Sequence, residues 1–227
     1  MKRRPIAELL DTDSGTPDEI TASLRDLQSF NQRLGGVSTT HHLVDRVARR
    51  MNASELSMLE VAAGAGYVPS CAALSLKAAG IRVAITLLDR AATHLPNNGT
   101  SRKIVGDALT LPFADSTFDI VSSSLFVHHL SPEQVIQFIR ESLRVSRIAV
   151  LVNDLVRHRA HLLLAYAGVP LYRSRITRND APASVKQAYT IQELQEFLNK
   201  GGAAEIDARQ FFLFRMGVIA WKRVPSA

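Results

Sequence analysis

LEVAAGAG, residues 59–66, is a short apolar run that carries one acid, Glu60, and closes in small residues. Small residues at a strand end mark a place where something approaches the backbone closely. The run leads into a stretch with helical character, Val68–Ala79, which contains Cys71. A strand that turns through glycines into a helix places Gly64 and Gly66 where backbone amides can meet a ligand. The helix start there attracts negative charge.

The chain around this stretch alternates. Apolar runs at Leu56–Val61, Val83–Leu88, Lys103–Val105, Phe118–Ser122 and Ile148–Val152 are separated by helical patterns at Val68–Ala79, Arg90–Leu95 and Pro132–Leu143. Buried continuous strands with helical crossovers predict an α/β protein with a parallel, doubly wound sheet. Upstream, Thr16, Pro17 and Glu19 form a helix-start signal ahead of Ile20, Leu24 and Leu27, and Gly35-Gly36 closes that helix. A second helix is expected over Thr39–Met51. Downstream, Thr190 and Glu193 open a helix that Gly201-Gly202 ends, followed by strands at Ala204–Arg209 and Phe211–Lys222. Residues 154–188 interrupt the alternation. The expected organisation is an N-terminal helical cap (1–50) and a core (51–227) with an insert at 154–188 after the fifth strand.

Ligands of such sheets bind beyond the carboxyl ends of the strands, near the switch point. The dinucleotide fingerprint requires a third glycine where this chain has Pro69. Glu60 would repel a pyrophosphate but suits a ligand ammonium. Both points favour S-adenosylmethionine over a nicotinamide dinucleotide. Asp89, 23 residues after Gly66 in the run LLDR, can accept both ribose hydroxyls of either ligand.

GDALTLPFADSTFDIVSSSLFVHHL (residues 106–130) then completes an ordered set of motifs. Over residues 38–153 the chain resembles the class I S-adenosylmethionine-dependent methyltransferases, in the subgroup of ubiquinone and menaquinone C-methyltransferases and small-molecule O-methyltransferases. The resemblance implies a Rossmann-like sheet of seven strands with the last antiparallel. It implies that Glu60, Gly64 and Gly66 line the methionine part, that Asp89 holds the ribose, and that Arg90 lies beside the adenine. Asp107 would accept from the adenine amino group with the Ala108 amide nearby, and the Ser123 backbone would meet the methionine amine. Two departures stand out. Ala62 replaces the family's first glycine, which is tolerable if the strand end has no positive φ. SLRVSRIAV replaces the usual Pro-Gly-Gly turn before the fifth strand.

Methyl transfer needs in-line alignment, and an oxygen acceptor also needs proton removal, which a His of near-neutral pKa performs well. His128 and His129 follow the fourth strand. At most one of them should face the methyl, and a His held structurally under the loop is the equal alternative. In the insert, Asp154, Tyr166, Tyr172, Arg173 and Arg175 are the candidate acceptor contacts, next to apolar Leu162–Leu164 and Val169–Leu171. They suit a small aromatic, polyketide-like or quinone-like acceptor, anionic or lipid-tailed, of the kind found in secondary metabolism. Methylation on oxygen is favoured over carbon. Asn153-Asp154 is similar to the metal ligands of catechol-type enzymes, but no clustered carboxylates complete a Mg²⁺ site, so no metal is expected.

The 227 residues carry 27 Lys and Arg against 21 Asp and Glu, a net of +6. Six basic and two acidic residues between 154 and 188 supply most of this excess. That segment reads either as a solvated face or as a basic mouth for an acidic partner. It lacks aromatic interleaving, and no Asn/Asp-Pro-Pro-aromatic motif is present, which argues against a nucleic-acid methyltransferase. An S-adenosylmethionine-binding domain without catalysis is the other alternative, kept open by Ala62. One cysteine, no signal-length apolar run after MKRRP and no apolar run long enough to span a bilayer lead to the expectation of a cytoplasmic protein without stable membrane insertion.

Overall fold

The computed structural model describes residues 1–12, 14–96 and 101–223. Seven strands form one sheet in the order β3-β2-β1-β4-β5-β7-β6. They are β1 (Glu55–Val61), β2 (Arg82–Asp89), β3 (Arg102–Val105), β4 (Phe118–Ser124), β5 (Ser146–Leu155), β6 (Glu205–Phe211) and β7 (Arg215–Trp221). β1 to β5 pair in parallel, and β7 runs antiparallel between β5 and β6. The chain winds outward from β1 to β3 and then returns to lay β4 against β1. The switch point therefore lies between β1 and β4, where LEVAAGAG ends.

The helices are α1 (Pro17–Arg33), α2 (Gly36–Met51), α3 (Tyr67–Ala78), α4 (Pro132–Val145), α5 (Arg159–Ala167), α6 (Arg175–Gln187) and α7 (Ile191–Gly201). Capping boxes start three of them: Thr16 with Glu19, Ser131 with Gln134, and Thr190 with Glu193. Leu43, Val44 and Val47 of α2 are buried against Met58, Ile120, Leu151, Ile219 and Trp221 on one sheet face. The other face packs Leu59, Val61, Val121, Val150 and Val152 against Val135, Phe138, Ile139 and Leu143 of α4 and Leu194 and Leu198 of α7. Each such side chain contributes about 1.5–3 kcal/mol by leaving water.

Three features refine the sequence reading. α2 was expected within a cap, but its apolar stripe belongs to the sheet's own packing layer, and it starts at Gly36 because left-handed Gly35 (φ 86°) serves as its N-cap. α4 runs directly into β5, since Ser146 closes the helix in an extended conformation and needs no glycine turn. The insert is more regular than its punctuation suggests. It holds α5 and α6, with Pro182 inside α6.

The first twelve residues form a strap across α6 and the 3-10 turn Val127–His129. Arg4 N donates to Lys186 O, and the Leu9 and Leu10 amides donate to the two carboxylate oxygens of Asp180. The Arg3 guanidinium donates to the carbonyls of His128, Leu130 and Gln187 and lies 4.2 Å over the Tyr189 ring.

Candidate active site

At the end of β1 the backbone turns through three left-handed residues: Ala62 (φ 53°), Gly64 (φ 50°) and Gly66 (φ 67°). Ala62 thus does adopt the positive φ that a strand end was expected to avoid. The fold holds a Cβ-bearing residue there at a cost of about 1–2 kcal/mol. A Cβ on Gly64 would meet nothing within 4 Å, so this backbone is open. A Cβ on Gly66 would lie 2.7 Å from Leu87 Cδ1, so this glycine is required by packing on β2 as well as by its φ.

Asp89, buried at the end of β2, clamps the turn. Its Oδ2 accepts from Gly64 N at 2.8 Å and its Oδ1 from Ala91 N at 3.0 Å, and His94 Nδ1 is 3.6 Å from Oδ1. One carboxylate therefore ties together the loops after β1 and β2. Asp107 lies exposed beyond β3, where Oδ1 accepts from Leu109 N at 2.9 Å, with Ala108 half-buried beside it. Arg90 is exposed next to Asp89.

Glu60 is 1% exposed, paired in register with Leu87 and Ser122, and its Oε2 has no hydrogen-bond partner among the described residues. Burial pushes its carboxyl up to about 7, against the opposing pull of the Ser122 hydroxyl. Ser123, opposite Val61, carries a buried Oγ that likewise lacks a partner among the described residues. An unpaired buried carboxylate oxygen is costly, and a ligand donor such as an ammonium would satisfy it.

The second half of the site lies after β4. His128 Nδ1 is 2.6 Å from Asp154 Oδ1, and His128 N donates to Asp154 Oδ2 at 3.1 Å. On the other side of the ring, Nε2 is 3.6 Å from Glu8 Oε1, an ion-pair separation longer than a hydrogen bond. Burial alone would lower the pKa of this imidazole, but Asp154 and Glu8 together hold it at about 10. His129 Nδ1 lies 2.9 Å from Asp11 Oδ2, and the two His rings are 4.1 Å apart. Glu8 accepts from Ser184 Oγ and Gln187 Nε2 of α6 at 2.5 and 2.6 Å. α6 is thereby joined to both the strap and the His turn.

A family model described as a methyltransferase domain matches residues 59–149, the span from the glycine turn through the His turn into β5. The match supports a class I S-adenosylmethionine-dependent methyltransferase domain over this span. Solved structures share its fold at low identity. The plantazolicin methyltransferase BpumL, crystallised with a monoazolic desmethylPZN analog and S-adenosylhomocysteine, superposes with a TM-score of 0.67 at 12% identity, over 95% of each chain. A protein from Nostoc punctiforme named as an O-methyltransferase gives 0.55 at 14% identity, over 86% of this chain. The present chain spans 59% of the Nostoc protein's length. A methyltransferase from Aquifex aeolicus gives 0.53 at 14% identity, over 86% of this chain and 97% of its own.

The methyltransferase gathers Glu60, Gly64, Asp89 and Ser123 at its switch point and His128 with Asp154 beside it. Flanked by two carboxylates, His128 holds its proton more tightly than the near-neutral base expected. Asn153 and Asp154 do not act as a pair, because neighbours on a strand face opposite sides of the sheet. Asn153 Nδ2 donates to Gly36 O and Thr40 Oγ1, fixing the start of α2, while Asp154 faces His128.

The insert residues fall elsewhere. Arg175 pairs with Glu19 at 2.9 Å and Arg173 approaches Asp26 at 4.0 Å, both on α1. Tyr172 packs edge-on to Phe30 and donates its hydroxyl to Ala165 O. The Tyr166 hydroxyl accepts from Lys186 Nζ. Two cations of the insert thus reach carboxylates of α1 while their side chains stay mostly exposed, and contact of Arg173 and Arg175 with an acceptor stands as a proposal. Sequence reasoning missed Glu8, Asp11 and Arg3. No periodicity or motif marks MKRRPIAELLDT, and these residues acquire partners only when α6 and the His turn come together.

Proposed function

We propose that this methyltransferase carries a methyl group from S-adenosylmethionine to a small acceptor seated between the His128–His129 turn and the insert. Methylation on oxygen is favoured over carbon. The observation that carries the cofactor assignment is the buried Glu60 carboxylate, whose Oε2 has no partner among the described residues, beneath an open glycine turn that Asp89 clamps. Glu60 would hold the methionine ammonium, Gly64 would let the chain approach, and Asp89 would take the ribose hydroxyls through its remaining lone pairs. Asp107, with the Ala108 amide, and Arg90 flank the place for the adenine. Bound there, S-adenosylmethionine supplies an electrophilic sulfonium methyl. The chain contributes alignment and exclusion of water, and the strap over the His turn serves the second purpose.

A small acceptor is supported by the half-buried and apolar surface of α5 and α6 and by the fold shared with BpumL, which was crystallised with a monoazolic desmethylPZN analog. Exposed Leu163, Leu164, Tyr166 and Leu171 offer apolar contact for an aromatic, polyketide-like or lipid-tailed acceptor. Among the described residues no helix is long and apolar enough to cross a membrane. The test is calorimetry with S-adenosylmethionine, S-adenosylhomocysteine and NADH, followed by transfer of a tritiated methyl group to a panel of phenols, enols, azoles and amines. Binding of the two sulfur nucleosides and labelling of an oxygen acceptor are expected. Binding of NADH alone would overturn the cofactor assignment, and labelling confined to carbon or nitrogen would overturn the preference for oxygen.

A further inference from the structure

We propose that Glu8, His128 and His129 form a binding site for one divalent transition-metal ion of the Zn²⁺ type, assembled between the strap and the end of β4. One oxygen of Glu8 and one ring nitrogen of each His lie within 4.8 Å of one another. His128 and Glu8 are buried, and His129 is partly so. Two donors each about 2.1 Å from a four-coordinate ion stand roughly 3.4–3.6 Å apart. The 3.6 Å gap between His128 Nε2 and Glu8 Oε1 has this length, and it is too long for a hydrogen bond. Two donors on one ion cannot exceed about 4.2 Å. A pair at the 4.8 Å limit has to close by about 1.2 Å to reach the four-coordinate separation, which rotation of the partly exposed His129 ring can supply.

The surroundings match what metal ligands require. A metal-binding imidazole presents one nitrogen to the ion and has the other held by a carboxylate. His128 Nδ1 is held by Asp154 at 2.6 Å and His129 Nδ1 by Asp11 at 2.9 Å. In each ring this leaves Nε2 for the ion. The Glu8 carboxylate is fixed in turn by Ser184 and Gln187. Three carboxylates, Glu8, Asp11 and Asp154, flank the two rings in a largely buried place, a setting that attracts a dication. Two imidazoles and one carboxylate suit Zn²⁺, Co²⁺ or Fe²⁺, whereas Mg²⁺ and Ca²⁺ prefer all-oxygen shells. Three protein ligands also leave a coordination position open. On the methyltransferase reading, an acceptor hydroxyl or carboxylate would take that position.

The site differs from the carboxylate arrangement of catechol-type enzymes, since Asn153 is turned away to α2 and Asp89 belongs to the glycine turn. The experiment uses the full chain, stripped with a chelator and titrated with Co²⁺ alone, then with Zn²⁺ in competition and Mg²⁺ as control. One Co²⁺ per chain with visible d–d bands of a low-coordinate site is expected, displaced by Zn²⁺ and unaffected by Mg²⁺. His129→Ala and the nearly isosteric Glu8→Gln should each weaken Co²⁺ binding by about 100-fold or more, and Asp154→Asn by about 10–100-fold. His42→Ala, on α2, should bind as the parent does. Far-ultraviolet dichroism and S-adenosylmethionine binding identify variants that remain folded. Absence of the bands in the parent, or parental Co²⁺ affinity in folded Glu8→Gln, would overturn the proposal and leave the cluster as an acid–imidazole clamp. Because the bands are read without cofactor, their loss is distinguishable from failure of the methyltransferase reading.

Discussion

Glu60→Gln is the most informative single substitution, because one buried carboxyl links stability, pH and cofactor. In the folded protein this group titrates at about 7, against an ordinary value of 4.5. A raised carboxyl keeps its proton in the folded state while the unfolded chain has released it. Its stabilising contribution is complete below pH 4.5 and is lost as the pH rises through 7. The difference amounts to about 3 kcal/mol, at about 1.4 kcal/mol per pH unit. Gln preserves the shape and cannot ionise. Urea denaturation of both proteins from pH 4.5 to 8.5 should show the parent losing about 3 kcal/mol relative to the variant, with every other titration cancelling in the difference. A flat difference would refute the account of burial. Calorimetry adds a second reading, since an ammonium at Glu60 requires the ionised form. Parental affinity for S-adenosylmethionine should rise up to about tenfold per pH unit below 7 and then level off, whereas the variant should bind weakly and without that slope.

Three further outcomes follow from named contacts. Ala62→Gly should raise stability by up to about 1 kcal/mol, because relief of the positive φ outweighs the added freedom of the unfolded chain, whereas Ala62→Val should lower it; thermal unfolding checks both. Asp89→Ala removes the acceptor of two loop amides as well as the ribose carboxylate, so calorimetry should show at least a tenfold loss of S-adenosylmethionine affinity, and unchanged affinity would move the ribose site elsewhere. Removing residues 1–12 should cut turnover of the accepted substrate severely while S-adenosylmethionine affinity stays within a few fold; normal turnover would make the strap a mere appendage.

Much of the fold is legible in the sequence because its signals are local. Thr16-Pro17-Glu19 and Thr190 with Glu193 announce helices whose caps form within one turn. The central strands read as apolar runs because both sheet faces are covered. Asp89 and Gly64 are legible as site residues, yet their mutual hydrogen bond is a tertiary fact. Gly66 is legible as a required glycine for a reason only partly right, since Leu87 on the next strand supplies the constraint. The partners of Arg173 and Arg175 are not legible, because charge in a sequence has no direction and their carboxylate neighbours Asp26 and Glu19 lie about 150 residues away. Pro182 argues against the helix that α6 nonetheless forms, because Ile176, Ala183 and Val185 gain burial that local propensity does not record.

The strap also bears on the order in which the protein matures. Its contacts join Arg3 to His128 and Gln187, and Leu9 to Asp180, over separations of 125, 184 and 171 residues. These residues are synthesised before α6, so their bonds to Asp180, Lys186 and Gln187 can form only once α6 has been made and has docked. The loop-closure entropy of such contacts is met late, after local helices and the parallel sheet have formed. A nascent or truncated chain lacking α6 would hold the glycine turn and its cofactor residues without the cover over the His turn.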